Sequence, residues 1–203
     1  MTFAEICTII KDICLAIAAA TTAIVAVLGM RSWSRELKGK AEFEIARKLI
    51  ESTYKLRDGV ERFRSPFISA GEFTPEYQSK LGDHTAEEEG QAYAKIYGDR
   101  WENNISEAIQ EFDANSIEAE AFWGGPIKEK TQELRSCVGT LRASVEAVIR
   151  DKFSGGMDFN DKDFGKEMRS NISTFGKENP LTQKINNAID NIVKELRPYL
   201  SHS

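Results

Sequence analysis

The chain is poor in the residues that most often do chemistry. In 203 residues it has two histidines and three cysteines, and neither kind is grouped. Cys7 and Cys14 fall in or beside an uncharged apolar run, and Cys137 stands alone in a predicted helix. The lack of any CxxC pair or Cys/His cluster removes a disulfide framework and a zinc site, and fits a reducing compartment. His84 lies in a loop beside Asp83 and the acidic Glu87-Glu88-Glu89, and His202 is the penultimate residue. Asp83, His84 and Glu87 could in principle hold a metal, but the plainer reading is an exposed linker histidine. Neither a Ser-His-Asp nor a Cys-His arrangement stands out. No GxxxxGK[ST] or GxGxxG phosphate cradle occurs. The segment DFNDKDFGKE resembles a calcium loop but breaks its pattern: counting from Asp158, position 5 is Lys162, position 6 is Asp163 instead of glycine, and position 12 is Arg169. It reads as a polar turn capping a short helix. The expectation is a protein that is not an enzyme, with no metal, no cofactor and no evident small-molecule substrate.

Positive charge is also short where a nucleic-acid binder would need it. Residues 1–64 carry 11 Lys/Arg against 8 Asp/Glu, whereas residues 65–203 carry 16 against 24. The folded part is therefore acidic, and nucleic acid is not an expected partner. With 29% charged and 41% hydrophobic residues, the chain can bury a core and is not disordered.

What is present is a long uncharged stretch, ICLAIAAATTAIVAVLGM, 18 residues from Ile13 to Met30. About 20 apolar residues are needed to cross a bilayer core, and a helix there satisfies its own backbone. A cleaved signal peptide would want positive charge before the run, but Glu5 and Asp12 flank the single Lys11. An Ala-rich run could also be a core helix. An interfacial helix would need a polar face, and only Thr21 and Thr22 offer one. The favoured reading is a transmembrane helix. After it come Arg31, Arg35, Lys38 and Lys40 against one acid, Glu36. By the positive-inside rule the N-terminus is then outside, and everything after residue 30 is in the cytoplasm. Trp33 sits where an aromatic interface anchor belongs, with a core tryptophan as the alternative. The four basic residues can attract anionic lipid headgroups, by about 1 kcal/mol each near the surface. Ala16/Ala20, Ala19/Ala23 and Ala18/Thr22/Ala26 repeat four apart, a spacing that lets two helices approach closely in lipid.

Beyond the run, apolar or small residues recur at helical spacing. Ala46, Leu49, Thr53, Leu56, Val60 and Phe63 form one stripe, ended by Ser65-Pro66. A second stripe is Trp101, Ile105, Ala108, Phe112, Asn115, Ala119 and Phe122. A third is Ile127, Thr131, Leu134, Val138, Leu141, Val145 and Val148, and between the two lies Trp123-Gly124-Gly125-Pro126. Glycines end a helix and proline opens one, so these helices are antiparallel neighbours. A last helix runs from Pro180 to Tyr199 with Asn179 as N-cap. Phe67 to about Glu87, and Ser154 to about Glu178, read as polar linkers. The fold class expected is all-α: one N-terminal transmembrane helix continuing into an antiparallel bundle of about four helices. Its parts are a short segment 1–12, a span 13–30 and a cytoplasmic bundle 31–203.

At the end of the long helix Tyr54, Arg57, Asp58, Arg62 and Arg64 gather polar groups beside the apolar stripe. Pairing at i,i+4 between Arg57 and Glu61, and between Asp58 and Arg62, explains much of this. The functional alternative is that Tyr54, Arg57 and Asp58 make a partly buried polar contact with the second or third helix.

The motifs Trp33-x3-Leu37-x-Gly39, Glu44-x-Ala46-Arg47, Tyr54-x-Leu56-Arg57-Asp58 and Glu118-Ala119-Glu120, with a closing Arg197-Pro198-Tyr199-Leu200, resemble a family of uncharacterised bacterial single-span membrane proteins. The resemblance covers nearly the whole chain. It implies this architecture and a bacterial inner-membrane location, and brings no catalytic or binding residues with it. Two functions fit: a membrane-tethered interaction module for a protein partner or its own copies, or a self-associating membrane effector, for instance in phage defence.

Overall fold

Gly29, Gly39 and Gly59 are the strongest helix-weakening residues between Ile13 and Phe63, and each alone costs only about 1 kcal/mol. A single long helix results. In the computed structural model α1 runs Phe3–Phe63, so residues from Phe3 on in the expected 1–12 flank are its first turns. The structure describes residues 3–80, 82–159, 161–174 and 179–200. His202 and the side chains of Glu5, Cys7 and Asp12 lie outside what is described. The chain divides into two compact units, and the division falls inside α1, between Glu44 and Ile45, rather than at the end of the apolar run.

In the second unit α1 buries Ile45, Ala46, Leu49, Thr53, Leu56, Val60 and Phe63. The buried Ser52 and Thr53 hydroxyls donate to the Leu49 carbonyl at 3.1 and 2.7 Å, so neither is left without an acceptor. The stretch expected as a linker after Pro66 is folded: a 3-10 turn at Ala70–Glu72, then α2 at Pro75–Ser79, whose N-cap Thr74 accepts from the Tyr77 N–H. α3, Ala86–Trp101, opens on a reciprocal cap. There the Thr85 hydroxyl accepts from Glu88 N–H at 3.2 Å, and the Glu88 carboxylate accepts from Thr85 N–H at 3.0 Å. These local caps are what the linker reading missed.

α3 runs through a π-helical turn, Glu102–Ser106, into α4, Glu107–Trp123. Gly124, at φ +73°, then reverses the chain into α5, Gly125–Phe153, which has Pro126 in its first turn. All seven positions of the α5 stripe are buried. The α4 stripe holds through Ala119, but Phe122 is exposed, and the last contact passes to Trp123, 4.6 Å from the Tyr199 ring. Within the second expected linker lies α6, Lys162–Asn171, capped by Asp161, whose carboxylate accepts from the Asp163 and Phe164 N–H groups. α7, Pro180–Leu200, starts at Asn179 as expected: its Oδ1 accepts from Thr182 N–H at 3.1 Å.

Cross-helix pairs fix the directions. Lys48–Glu118 and Lys55–Glu111 step opposite ways along α1 and α4. So do Arg135–Asp113 and Lys128–Glu120 between α5 and α4, and Lys130–Glu195 and Glu133–Asn191 between α5 and α7. Each pair of neighbours is antiparallel. α5 is central, packing against α3, α4, α6 and α7. The architecture is an all-α bundle after one long apolar N-terminal helix, with no strand among the described residues.

Gly59 shows how closely α1 meets the π turn. A Cβ there would lie 2.2 Å from the Asn104 carbonyl oxygen, whereas one at Gly39 would meet nothing within 4 Å. Gly59→Ala should therefore destabilise the protein by about 1–3 kcal/mol, because the clash is with backbone that cannot rotate away. Gly39→Ala should be neutral or stabilising, and the two denaturation midpoints compared in one experiment check this.

Candidate functional site

Two regions can carry function, one in each unit. In the first unit, every side chain from Ile13 to Lys38 is exposed, including Leu15, Ile17, Ile24, Val25 and Leu28. The helix is long and apolar enough to cross a membrane, and none of its most apolar window is buried within the protein. The two hydroxyls between Ile13 and Met30 make no polar face: Thr21 donates to the Ile17 carbonyl at 2.8 Å and Thr22 to the Ala18 carbonyl at 2.9 Å. Among the described residues the segment has no core to pack into.

The basic collar follows at once. Trp33 is 67% exposed, which separates it from any core role. Lys40 pairs with Glu36 at 2.7 Å and Lys38 with Glu42 at 3.7 Å, both along the helix. Arg31 and Arg35 carry no ion pair among the described residues and stand one helical turn apart.

In the second unit, the polar cluster read from the sequence divides. Arg57 bonds its neighbour Asp58 at 2.7 and 2.8 Å and lies over the Tyr54 ring, 4.8 Å from its centroid. The bond to Asp58 raises the Arg57 pKa above its ordinary value. All three groups are on one helix and half exposed, and among the described residues they contact one another rather than a second or third helix.

The cross-helix contact belongs to Arg64. Only 2% exposed, it donates from Nε to Asn171 O at 2.8 Å, from Nη1 to Thr182 Oγ1 at 3.0 Å, and from Nη2 to Ser173 O at 2.9 Å and Asn179 Oδ1 at 3.1 Å. Its own carbonyl accepts from Thr174 N–H at 3.1 Å. One guanidinium thereby ties the end of α1 to the end of α6 and the start of α7. Asn171 extends the tie to α5 by donating to Ser144 Oγ at 3.0 Å. No carboxylate among the described residues pairs with Arg64, and burial pulls its pKa down, with Glu61 acting the other way. Partial countercharge comes from the Asn171 carbonyl at the C-terminus of α6, where the helix dipole is negative, and from the Ser173 carbonyl just beyond it. Arg57 and Arg64 border one depression of about 290 Å³ with Glu61, Thr174, Thr182 and Asn186.

Arg100 does comparable work on the segment after α1. It meets Glu72 through two nitrogens at 2.6 and 3.0 Å and donates to the Ser65 and Phe67 carbonyls at 2.8 and 2.6 Å. That fork geometry suits a planar guanidinium, and it holds the Glu72 carboxyl below the usual carboxylate range.

His84 is not the exposed linker histidine expected. It is half buried and stacks on Tyr77 at 3.7 Å between ring centroids. Among the described residues no group of three metal-capable side chains forms. Cys137 is buried, and that burial pushes its thiol pKa up, away from a nucleophilic thiolate. No protein-family model, curated protein or solved structure matches the chain.

The two arginines predict opposite outcomes. Arg64→Met leaves the Asn171 carbonyl without its donor and takes one donor each from the Ser173 carbonyl, Asn179 Oδ1 and Thr182 Oγ1, and should cost about 2–4 kcal/mol. Arg57→Met breaks a half-exposed pair and should cost about 1 kcal/mol or less. Urea midpoints of the two variants, measured side by side, check the assignment.

Proposed function

We propose that this chain is a membrane-anchored helical interaction module. The observation that carries the reading is the contrast within α1. From Ile45 on the helix is built into a core, while Ile13–Met30 exposes Leu15, Ile17, Ile24, Val25 and Leu28 with no polar face. Exposing that much contiguous apolar surface to water is unfavourable by roughly 25 cal/mol per Å², and a bilayer removes the penalty. The basic collar from Arg31 to Lys40, with Trp33 exposed at its start, supports an orientation with the N-terminus outside and the bundle in the cytoplasm. The resemblance to bacterial single-span proteins supports an inner-membrane location. The bundle then presents its surface to a protein partner, a role that needs no catalytic group, no cofactor and no small-molecule substrate.

Fusing reporters after Ser203 tests the topology. A reporter that works only in the cytoplasm should be active there, and a periplasm-dependent one silent. The opposite pattern contradicts the orientation, and release of the N-terminal segment by signal peptidase contradicts the anchor.

A second reading, a self-associating membrane effector, rests on the exposure of Ala16, Ala19, Ala20 and Ala23 along the segment. Replacing these four by leucine keeps the run apolar and helical but fills the surfaces along which helices approach. A simple anchor predicts an unchanged oligomeric state in detergent. An effector predicts that assembly is lost while the bundle stays folded, as read by sizing and circular dichroism.

A further inference from the structure

We infer that Arg31 and Arg35 form a two-arginine clamp for the phosphate of an anionic phospholipid, and that Lys38 and Lys40 take no direct part in it. The inference rests on the membrane-spanning reading and sharpens it to two residues.

Depth is the first argument. A helix rises about 1.5 Å per residue, and the headgroup layer on each side of the hydrocarbon is roughly 5–8 Å thick. For a helix along the membrane normal, Arg31 and Arg35 lie about 1.5 and 7.5 Å beyond Met30, whereas Lys38 and Lys40 lie about 12 and 15 Å beyond it. The two arginines fall in the phosphate layer and the two lysines past it.

Pairing is the second argument. The Lys40 ammonium is held by Glu36 at 2.7 Å, and Lys38 stands 3.7 Å from Glu42. Arg31 and Arg35 are exposed and have no ion pair among the described residues, so their charge is available to lipid. At i and i+4 they share one helix face with about 5–6 Å between Cβ atoms, close enough for two guanidinium forks to meet one phosphate. Trp33, between them in sequence, points away from that face and is 67% exposed, which leaves its ring free to sit among the headgroups.

Charge counting cannot mimic this arrangement, and that makes it testable. The full chain, with Arg31→Gln/Arg35→Gln or with Lys38→Gln/Lys40→Gln, is placed in mixed phosphatidylcholine and phosphatidylglycerol bilayers. Phosphatidylglycerol retained on the protein is counted by native mass spectrometry. Both variants remove the same charge. The arginine variant should lose about tenfold or more in phosphatidylglycerol enrichment, as two direct contacts near the surface imply. The lysine variant should change by less than about twofold. Arg31→Lys/Arg35→Lys, which keeps charge but not the fork, should fall between the two. Equal losses in the arginine-to-glutamine and lysine-to-glutamine variants would overturn the clamp and leave only diffuse attraction. Alkaline carbonate extraction of the unaltered chain separates the two levels: retention with equal losses sinks the clamp alone, and release into the wash sinks the spanning reading and the clamp with it.

Discussion

A guanidinium removed from water and paired with no carboxylate among the described residues is the most demanding constraint in the bundle. Removing a charge from water costs several kcal/mol even after relaxation, and only a full set of well-aimed acceptors offsets it. Arg64 has such a set: two main-chain carbonyls, a hydroxyl and a side-chain amide, drawn from the end of α6, the segment after it and the start of α7. Every one of those acceptors has to be in place at once. The end of α1, the cap of α7 and the Asn171 bond to α5 are therefore fixed by one side chain, in a way apolar packing alone would not fix them. Arg100 repeats the device on a smaller scale by gathering the Ser65 and Phe67 carbonyls with Glu72.

With that node closed, the core is completed by residues from Ile45 onward. Leu49, Leu56, Phe63, Ile105, Phe112, Leu134, Leu141, Ile192 and Leu196 are all fully buried in one cluster. Each such side chain contributes roughly 1.5–3 kcal/mol. The apolar residues from Ile13 to Met30 add nothing to it, since none is buried. Two kinds of apolar surface thus coexist in α1. One belongs to a core, and the other, from Ile13 to Met30, is exposed along its length.

Much of this was legible in the sequence because helical burial is periodic. The stripes on α1 and α5 mark residues that are buried, and Asn179 and Gly124 act as the caps their chemistry suggests. Asp161 caps α6 where a polar turn was expected. The rest carried no periodic signal. α2 and α6 are too short for a stripe to stand out, and the π turn looks like ordinary helix until Gly59 is seen against the Asn104 carbonyl. Arg64 sat in a cluster that read as surface pairing. Its partners lie 107 to 118 residues away, and no local pattern announces them. His84 was hidden in the same way, its burial set by a stack on Tyr77 that spacing alone does not reveal.

The central claim is that the bundle is complete without the apolar segment. A fragment from Leu37 to Ser203, produced in the absence of membrane or detergent, tests it directly by sedimentation and thermal circular dichroism. The account predicts a soluble, strongly helical monomer with one cooperative melt. A fragment that aggregates, or that melts gradually without a transition, would contradict it, because the core would then need the apolar N-terminal segment or a second copy to close.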